Sequence, residues 1–276
     1  MAARLRAAGC VFAEEEAVIL ASTAGTPAEL DGMVERRAAG EPLEQVVGWA
    51  EFCGLRVFVD PGVFVPRRRS EFLVSVAVDL VRSRGGLAGP VIIDLCCGTG
   101  ALGLAVAAVL GPSAGSTGGA GPGSASPSPA SRPAVELHAA DLDPLAVACA
   151  RRNVEPAGGR VHAGDLFAAL PVSLRGRVDV LICNAPYVPS AEIAFMPAEA
   201  REHEAPMALD GGADGLAILR RVTASAGEWL APGGVLLVET SERQAPAMTA
   251  AMSAAGLAPR VHSDDESGAT VVTGTK

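Results

Sequence analysis

Along the second half of the chain, short unbroken apolar runs alternate with longer stretches whose apolar positions recur at helical spacing. Val91-Ile-Ile-Asp-Leu95 is the first such run, and residues 100–110 form the first helical stretch. Residues 135–140, 160–163, 178–183 and 234–239 continue the strands, and residues 144–153, 213–230 and 244–255 the helices. That alternation predicts an α/β fold with a parallel, doubly wound sheet covered on both faces. Residues 257–262 and 269–273 flank a polar loop and predict a closing pair of strands.

The pattern before residue 85 is different. Short helices are expected up to about residue 45, with Thr26 as N-cap and Pro27 as first helical residue of a segment closed by Gly40. Residues 49–52 and 55–59 flank Cys53-Gly54 as a hairpin, and residues 70–84 resume as an amphipathic helix. Two domains follow: a small helical-plus-hairpin unit over residues 1–85, and the sheet domain over residues 86–276. Residues 111–133 are almost wholly Gly, Ser, Ala and Pro. Such a segment buries too little apolar surface to offset its ordering entropy, so a disordered insertion is expected there.

Composition narrows the function classes. At 276 residues the chain has room for one large α/β domain and a small extra unit. The formal net charge is −9 and nearly all positive charge is Arg, a balance that argues against gripping a nucleic-acid backbone. No stretch reaches the roughly 18 uninterrupted apolar residues of a membrane span. The first residues are basic but run into Glu14-Glu-Glu16 with no apolar core, unlike a secretory signal. Six cysteines without C-x-x-C spacing or a nearby His set point to reduced thiols in a cytoplasmic protein that binds no metal.

Two stretches carry candidate chemistry. Asp94-Leu-Cys-Cys-Gly98-Thr-Gly100-Ala-Leu-Gly103 puts glycines on the turn between the first strand and first helix, where backbone can approach a ligand closely. Gly98-x-Gly100-x-x-Gly103 also fits a nicotinamide or flavin site. Asp94 before the turn favours a cation over a pyrophosphate, Asp141 ends the second strand at the place for ribose hydroxyls, and Asp165-Leu166-Phe167 offers an acid and an aromatic for adenine. Together these favour S-adenosylmethionine. Each Asp could instead be a loop acid, and Asp143 before Pro144 reads as an N-cap. The second stretch, Val178-Asp-Val-Leu-Ile-Cys-Asn-Ala-Pro-Tyr187, is a buried strand opening into a loop at its carboxyl end, where open sheets place ligands. Pro186 pushes Ala185 towards extended backbone and so aims its carbonyl.

Asn184-Ala-Pro-Tyr187 resembles the Asn-Pro-Pro-Tyr signature of amino-methylating enzymes that act on DNA adenine, ribosomal RNA guanine or protein glutamine. Gly40-Glu-Pro-Leu-Glu-Gln-Val-Val-Gly48, Glu51-Phe-Cys-Gly-Leu-Arg56, Pro61-Gly-Val-Phe-Val-Pro-Arg67, Ala208-Leu-Asp-Gly-Gly-Ala-Asp-Gly215 and Gly234-Val-Leu-Leu-Val-Glu239 narrow it. In order, these stretches are similar to the peptide chain release factor N5-glutamine methyltransferases. The resemblance implies a mostly parallel seven-stranded methyltransferase sheet and release of S-adenosylhomocysteine as product. It implies a cofactor set of Asp94, Gly98, Gly100, Asp141, Asp165, Leu166, Phe167 and Asn184, and an acceptor set of Pro66, Arg67, Asn184 and Tyr187. Asn184, Ala185, Pro186 and Tyr187 would carry the reaction, with Asn184 Oδ1 and the Ala185 carbonyl accepting the two N–H groups of the acceptor amide. The implied partner is a release factor, with a nucleic-acid amino-methyltransferase or an S-adenosylmethionine-binding relic as rivals. The chain differs from the family pattern at Cys96 (usually Gly), at Ala185 (usually Pro), and at Arg68-Arg69-Ser70 (usually Pro-Glu-Thr), a segment that lies near the substrate in the family.

Deleting residues 113–131 is predicted to leave melting temperature and turnover near wild type, because loop-closure entropy changes by only roughly 0.6 kcal/mol per halving of length. A collapse of either in thermal melts or turnover assays would show the segment to be required.

Overall fold

The computed structural model describes residues 1–85, 89–111 and 135–276, so the expected disordered insertion lies, apart from Gly111, outside the described residues. The chain opens with helices α1 (Ala2–Ala7), α2 (Ala13–Thr23), α3 (Pro27–Ala38) and α4 (Leu43–Val47). Thr26 caps α3 in a full capping box with Glu29, and Pro27 fills the first helical position, as its dipeptide predicts. Strands β1 (Trp49–Phe52) and β2 (Leu55–Phe58) pair antiparallel across Cys53 (φ 50°) and Gly54 (φ 72°). Two consecutive left-handed residues make this the tight hairpin turn whose twist suits the strands. Helix α5 (Glu71–Ser83) follows.

The sheet is built from β3 (Val91–Leu95), β4 (Glu136–Asp141), β5 (Arg160–Ala163), β6 (Val178–Cys183), β7 (Leu230–Thr240), β8 (Ala258–Asp264) and β9 (Ala269–Thr275). Its helices are α6 (Ala101–Leu110), α7 (Pro144–Val154), α8 (Ala198–His203), α9 (Ala217–Trp229) and α10 (Ala245–Ala254). The seven strands lie in the order β5-β4-β3-β6-β7-β9-β8. Pairs from β5 to β7 are parallel, and β9 runs antiparallel to both β7 and β8. One face packs Ile92, Val180, Ile182 and Leu237 against α5, α6 and α7, with Phe52 and Val57 of the hairpin. The other packs Ile93, Leu181, Leu236 and Val238 against α9 and α10. Burial on both faces is why β3 and β6 read as continuous apolar runs.

Two expected boundaries move. Helix α9 starts at Ala217 and not at residue 213, because Gly215 turns left-handed (φ 77°) and Asp214 accepts the Leu216 N–H at 3.2 Å. Strand β7 starts at Leu230 and not at residue 234: the Pro232-Gly-Gly234 break is absorbed as a register shift against β6. The stretch between Tyr187 and α9 carries structure that no apolar rhythm announced: short 3₁₀ helices Ser190–Phe195 and Pro206–Ala208 on either side of α8. Among the described residues no helix is long and apolar enough to cross a membrane.

The N-terminal helices have their own apolar cluster of Leu5, Leu20, Val34 and Val46, and polar contacts tie them to α8. Arg37 donates to Glu16 at 2.7 and 3.0 Å and reaches Glu199 at 3.4 Å. Gln45 donates to the carbonyls of Val63 and His203 at 3.0 and 3.2 Å. The Arg37 and Glu16 side chains are only 10% and 11% exposed, so neither charge can be left alone cheaply. Arg37→Met is therefore predicted to cost about 3 kcal/mol in urea unfolding, because Glu16 loses its counter-charge in a nearly dry site. Breaking the exposed Arg220–Asp214 pair by Arg220→Met is predicted to cost less than about 1 kcal/mol. Equal effects would show that burial does not set the strength of the first pair.

Candidate active site

Between β3 and β6 the strand order reverses, since β4 and β5 extend one way and β7 the other. The crevice above the carboxyl ends of strands at such a switch point is where open α/β sheets bind ligands. A cavity opens there. It is lined by Cys96–Thr99 after β3, Asp141 after β4, Gly164–Leu166 after β5 and Asn184–Val188 after β6, and closed by Pro66, Arg67, Arg69 and Ser70 with Met196 and Met207.

One half of the cavity is the glycine turn and the acids around it. Gly98 lines the cavity in left-handed backbone (φ 54°), and so does Cys96, a non-glycine residue at φ 54°. Gly100 does not line the cavity. A Cβ there would lie 2.6 Å from Val154, so this glycine lets the turn pack on α7. A Cβ on Gly103 would lie 2.9 Å from that of Asp94, which sets how closely α6 approaches β3.

Asp94 is fully buried beneath the turn and does not reach the cavity wall. Its Oδ2 accepts the Gly103 N–H at 2.8 Å, while Oδ1 meets no donor among the described residues. Burial pushes its carboxyl up to about 7 against that hydrogen bond, with the charge of Asp141 adding to the rise. Asp141 is the acid that faces the cavity. It accepts the N–H groups of Gly98 at 2.9 Å and Asp143 at 3.0 Å, and burial raises its carboxyl pKa while those N–H groups hold it down. Asp143 caps α7, as expected.

Asp165 lines the cavity with its carboxylate held by Arg221 at 2.6 Å. Leu166 is left-handed (φ 49°) and turns its side chain into the cavity. The next residue then faces the other way. Phe167, expected against an adenine, stacks on Trp229 with ring centroids 5.2 Å apart and packs in the core under α9.

The other half is the loop after β6. Asn184 Nδ2 donates to Glu239 Oε2 at 3.2 Å and to Ser70 Oγ at 3.3 Å. A carboxylate only accepts, so the amide has one orientation, assigned by its partner. Oδ1 is left free of protein donors among the described residues, on a side chain that lines the cavity. Glu239, 2% exposed, also accepts from Tyr187 OH at 2.9 Å and Arg69 Nε at 3.0 Å, and Arg69 donates to the Tyr187 oxygen as well. Burial, with the Glu239 charge beside it, raises the Tyr187 pKa and keeps it a phenol. Ala185 is buried, and its carbonyl meets no protein donor among the described residues.

The loop is held by residues 209–215. Val188 donates to Leu209 and accepts from Gly211, at 3.2 and 2.9 Å, and Gln244 Nε2 donates to the Tyr187 carbonyl at 2.9 Å. A Cβ on Gly215 would sit 2.2 Å from that carbonyl oxygen, so only glycine lets the two loops touch. Pro66 and Arg67 line the cavity. The Arg67 guanidinium is committed to Glu204, with both oxygens at 2.6 Å, and burial raises the Glu204 pKa against that pairing.

Three residues of this half were not singled out as site residues from the sequence. Arg69 and Ser70 entered only as departures from a pattern, and Glu239 only within a matching stretch. The available signal was an acid near the end of the apolar strand that neighbours β6: Cys183 registers with Val238, so Asn184 just past β6 is level with Glu239 of β7.

A model of the RMKL-like methyltransferase domain matches residues 70–194. A release factor glutamine methyltransferase of Streptomyces coelicolor is 38% identical over 212 residues, 77% of this chain and 67% of the relative. A 4-amino-L-phenylalanine/4-methylamino-L-phenylalanine methyltransferase of Streptomyces pristinaespiralis is 34% identical over 225 residues, covering 81% and 69%. The crystal structure of a methyltransferase from Pyrococcus furiosus superposes with a TM-score of 0.52 over 81% of this chain and 89% of that one. At 15% identity it shares the fold alone.

Asp141→Ala is predicted to weaken S-adenosylmethionine binding more than about tenfold in calorimetry. It removes a charged acceptor facing the cavity, on the order of 1.5–3 kcal/mol, and frees the Gly98 N–H that shapes the turn. Unchanged affinity would remove Asp141 from the binding site.

Proposed function

The chain belongs to the release factor glutamine methyltransferase family, and on that footing we propose that it methylates the side-chain amide nitrogen of a glutamine in a peptide chain release factor. It is an S-adenosylmethionine-dependent methyltransferase. The lining fits that cofactor: Asp141 beside the Gly98 turn, and the wall made by Asp165 and Leu166. These residues would hold it, and when bound it supplies an electrophilic methyl group on a sulfonium.

The chain's own task is to make an amide nitrogen a usable nucleophile. Its lone pair is delocalised into the carbonyl, so the nitrogen must be aimed as well as brought near. Asn184 Oδ1 and the Ala185 carbonyl each accept one N–H of the acceptor amide, which fixes the plane of the group and turns the nitrogen towards the cofactor half. Both acceptors also stabilise positive charge developing on that nitrogen. The amide gives up a proton only after it has become cationic, and water can take it. Tyr187 stays protonated and walls the acceptor pocket. Ala185 keeps the carbonyl that a proline would present there. The single observation carrying this assignment is the orientation of Asn184, with Nδ2 on Glu239 and Oδ1 left for the acceptor.

A protein acceptor suits the rim better than a nucleic acid does. Met196 and Met207 line the cavity, Phe195 beside them is 87% exposed, and the net charge of −9 repels a polyanion. Residues 1–85, whose helices carry a core of their own and grip α8, are proposed to recognise the release factor.

Asn184→Ala is predicted to lower methyl transfer to a release factor by about 10²–10³-fold, the scale of one oriented hydrogen bond in a water-excluded site. S-adenosylmethionine affinity stays within about twofold of wild type, since the amide faces the acceptor half. Labelled-methyl assays against release factor, ribosomal RNA and 4-aminophenylalanine check both the rate and the acceptor. Near wild-type turnover by the alanine variant, or wild-type transfer only to RNA or the free aromatic amine, would overturn the proposal.

A further inference from the structure

Strands β6 and β7 are parallel neighbours in which Cys183 registers with Val238, which sets Asn184, just past the end of β6, beside Glu239 of β7 at the floor of the acceptor half. The carboxylate is nearly dry and divided between partners. Oε1 accepts from Tyr187 OH and Arg69 Nε, and Oε2 accepts from Asn184 Nδ2 at 3.2 Å. The other partner of the amide, Ser70 Oγ at 3.3 Å, is a hydroxyl that can donate or accept and so dictates nothing. Among the described residues only Glu239 distinguishes the two ends of the Asn184 amide. We propose that Glu239 is the positioning residue of the methyl-transfer reaction: it turns the Asn184 amide so that Oδ1, and not the NH₂ group, meets the acceptor, and Arg69 holds the carboxylate in place through its other oxygen. This rests on the acceptor role of Asn184 given above.

The arrangement makes a specific demand on substitutions. In Glu239→Gln one oxygen becomes an NH₂. Arg69 Nε offers only a hydrogen, so the glutamine oxygen must turn to Arg69 and its NH₂ to Asn184. Asn184 then satisfies that NH₂ by turning its own oxygen to position 239, which leaves an NH₂ facing the acceptor. The acceptor amide also presents N–H groups at that point. Two donors face each other, and the nitrogen is no longer aimed. Exchanging both residues cures this. In the pair Asn184→Asp with Glu239→Gln, one aspartate oxygen accepts from the glutamine NH₂ and the other faces the acceptor, while the total charge at the two positions is unchanged.

The test compares wild type, Glu239→Gln and the exchanged pair in methyl transfer to a release factor, with melting temperature and S-adenosylmethionine affinity measured alongside. Glu239→Gln is expected to lose about 10²-fold in kcat with cofactor affinity and melting temperature close to wild type, and the exchanged pair to regain at least about tenfold of that loss. A residue that merely supports the fold would not be rescued by a charge exchange. Glu239→Gln turning over near the wild-type rate, or an exchanged pair that folds but works no better than Glu239→Gln, would overturn the proposal. Neutron diffraction from the deuterated wild-type protein reads the orientation with no acceptor and no substitution. Deuterons on the Asn184 atom facing Glu239 support the assignment, and deuterons on the atom facing the cavity refute it. A protein that shows the first orientation yet fails to methylate release factor would retain this positioning role and lose the substrate assignment.

Discussion

One buried carboxylate holds the acceptor half of the site together. Glu239, on β7, receives hydrogen bonds from Asn184 and Tyr187 of the loop after β6 and from Arg69 of the segment before α5, so three segments meet at it. A single neutral hydrogen bond contributes about 1 kcal/mol, whereas stranding a buried charge costs roughly 3–5 kcal/mol. The penalty for leaving Glu239 unpartnered therefore exceeds the gain from any one of its contacts, and the three segments are held in register as a set. Because a carboxylate can only accept, the same contact that stabilises this meeting point also decides which atom of Asn184 faces the cavity. Stability and chemistry come from one polarity constraint.

The loop over that floor is shaped by a steric constraint. Glycines at 211 and 215 let residues 209–215 lie against the carbonyls of Pro186 and Tyr187, at distances no side chain would tolerate. Gln244 then closes the contact by donating to Tyr187 and Asp214 together. The cofactor half follows a different logic. Asp94 is spent on the start of α6 beneath the turn, and Asp141 both shapes the turn through the Gly98 N–H and faces the cavity. Arg67 and Arg69 are each paired with an acid, Glu204 and Glu239.

The fold was largely legible because burial leaves a period in the sequence. Residues 91–95, 160–163 and 178–183 are strands at the expected bounds, and the first and last of these, covered on both faces, read as apolar runs. The hairpin and the Thr26-Pro27 cap were legible from local turn chemistry alone. What periodicity cannot carry was misread or missed. The start of α9 depends on one left-handed glycine, and the segment from Ser190 to Ala208 is built of short helices pinned by distant carbonyls. At the site, Asp141 and Asn184, announced by strand ends, both line the cavity. Asp94 was placed wrongly: the helix start needs the carboxylate that the ligand was expected to take. Phe167 stacks on Trp229 and not in the cavity, where the left-handed Leu166 stands instead, and Glu239 was given no role because its partners lie in two segments far from it in the chain.

The most direct test of the account is a crystal structure of the enzyme with S-adenosylhomocysteine and a glutamine-containing release factor peptide. The account predicts that the glutamine side-chain nitrogen lies within hydrogen-bond distance of Asn184 Oδ1 and the Ala185 carbonyl, facing the sulfur, with Glu239 still on Asn184 Nδ2. A glutamine bound through its oxygen, or an Asn184 that has left Glu239 to donate to the substrate, would contradict it.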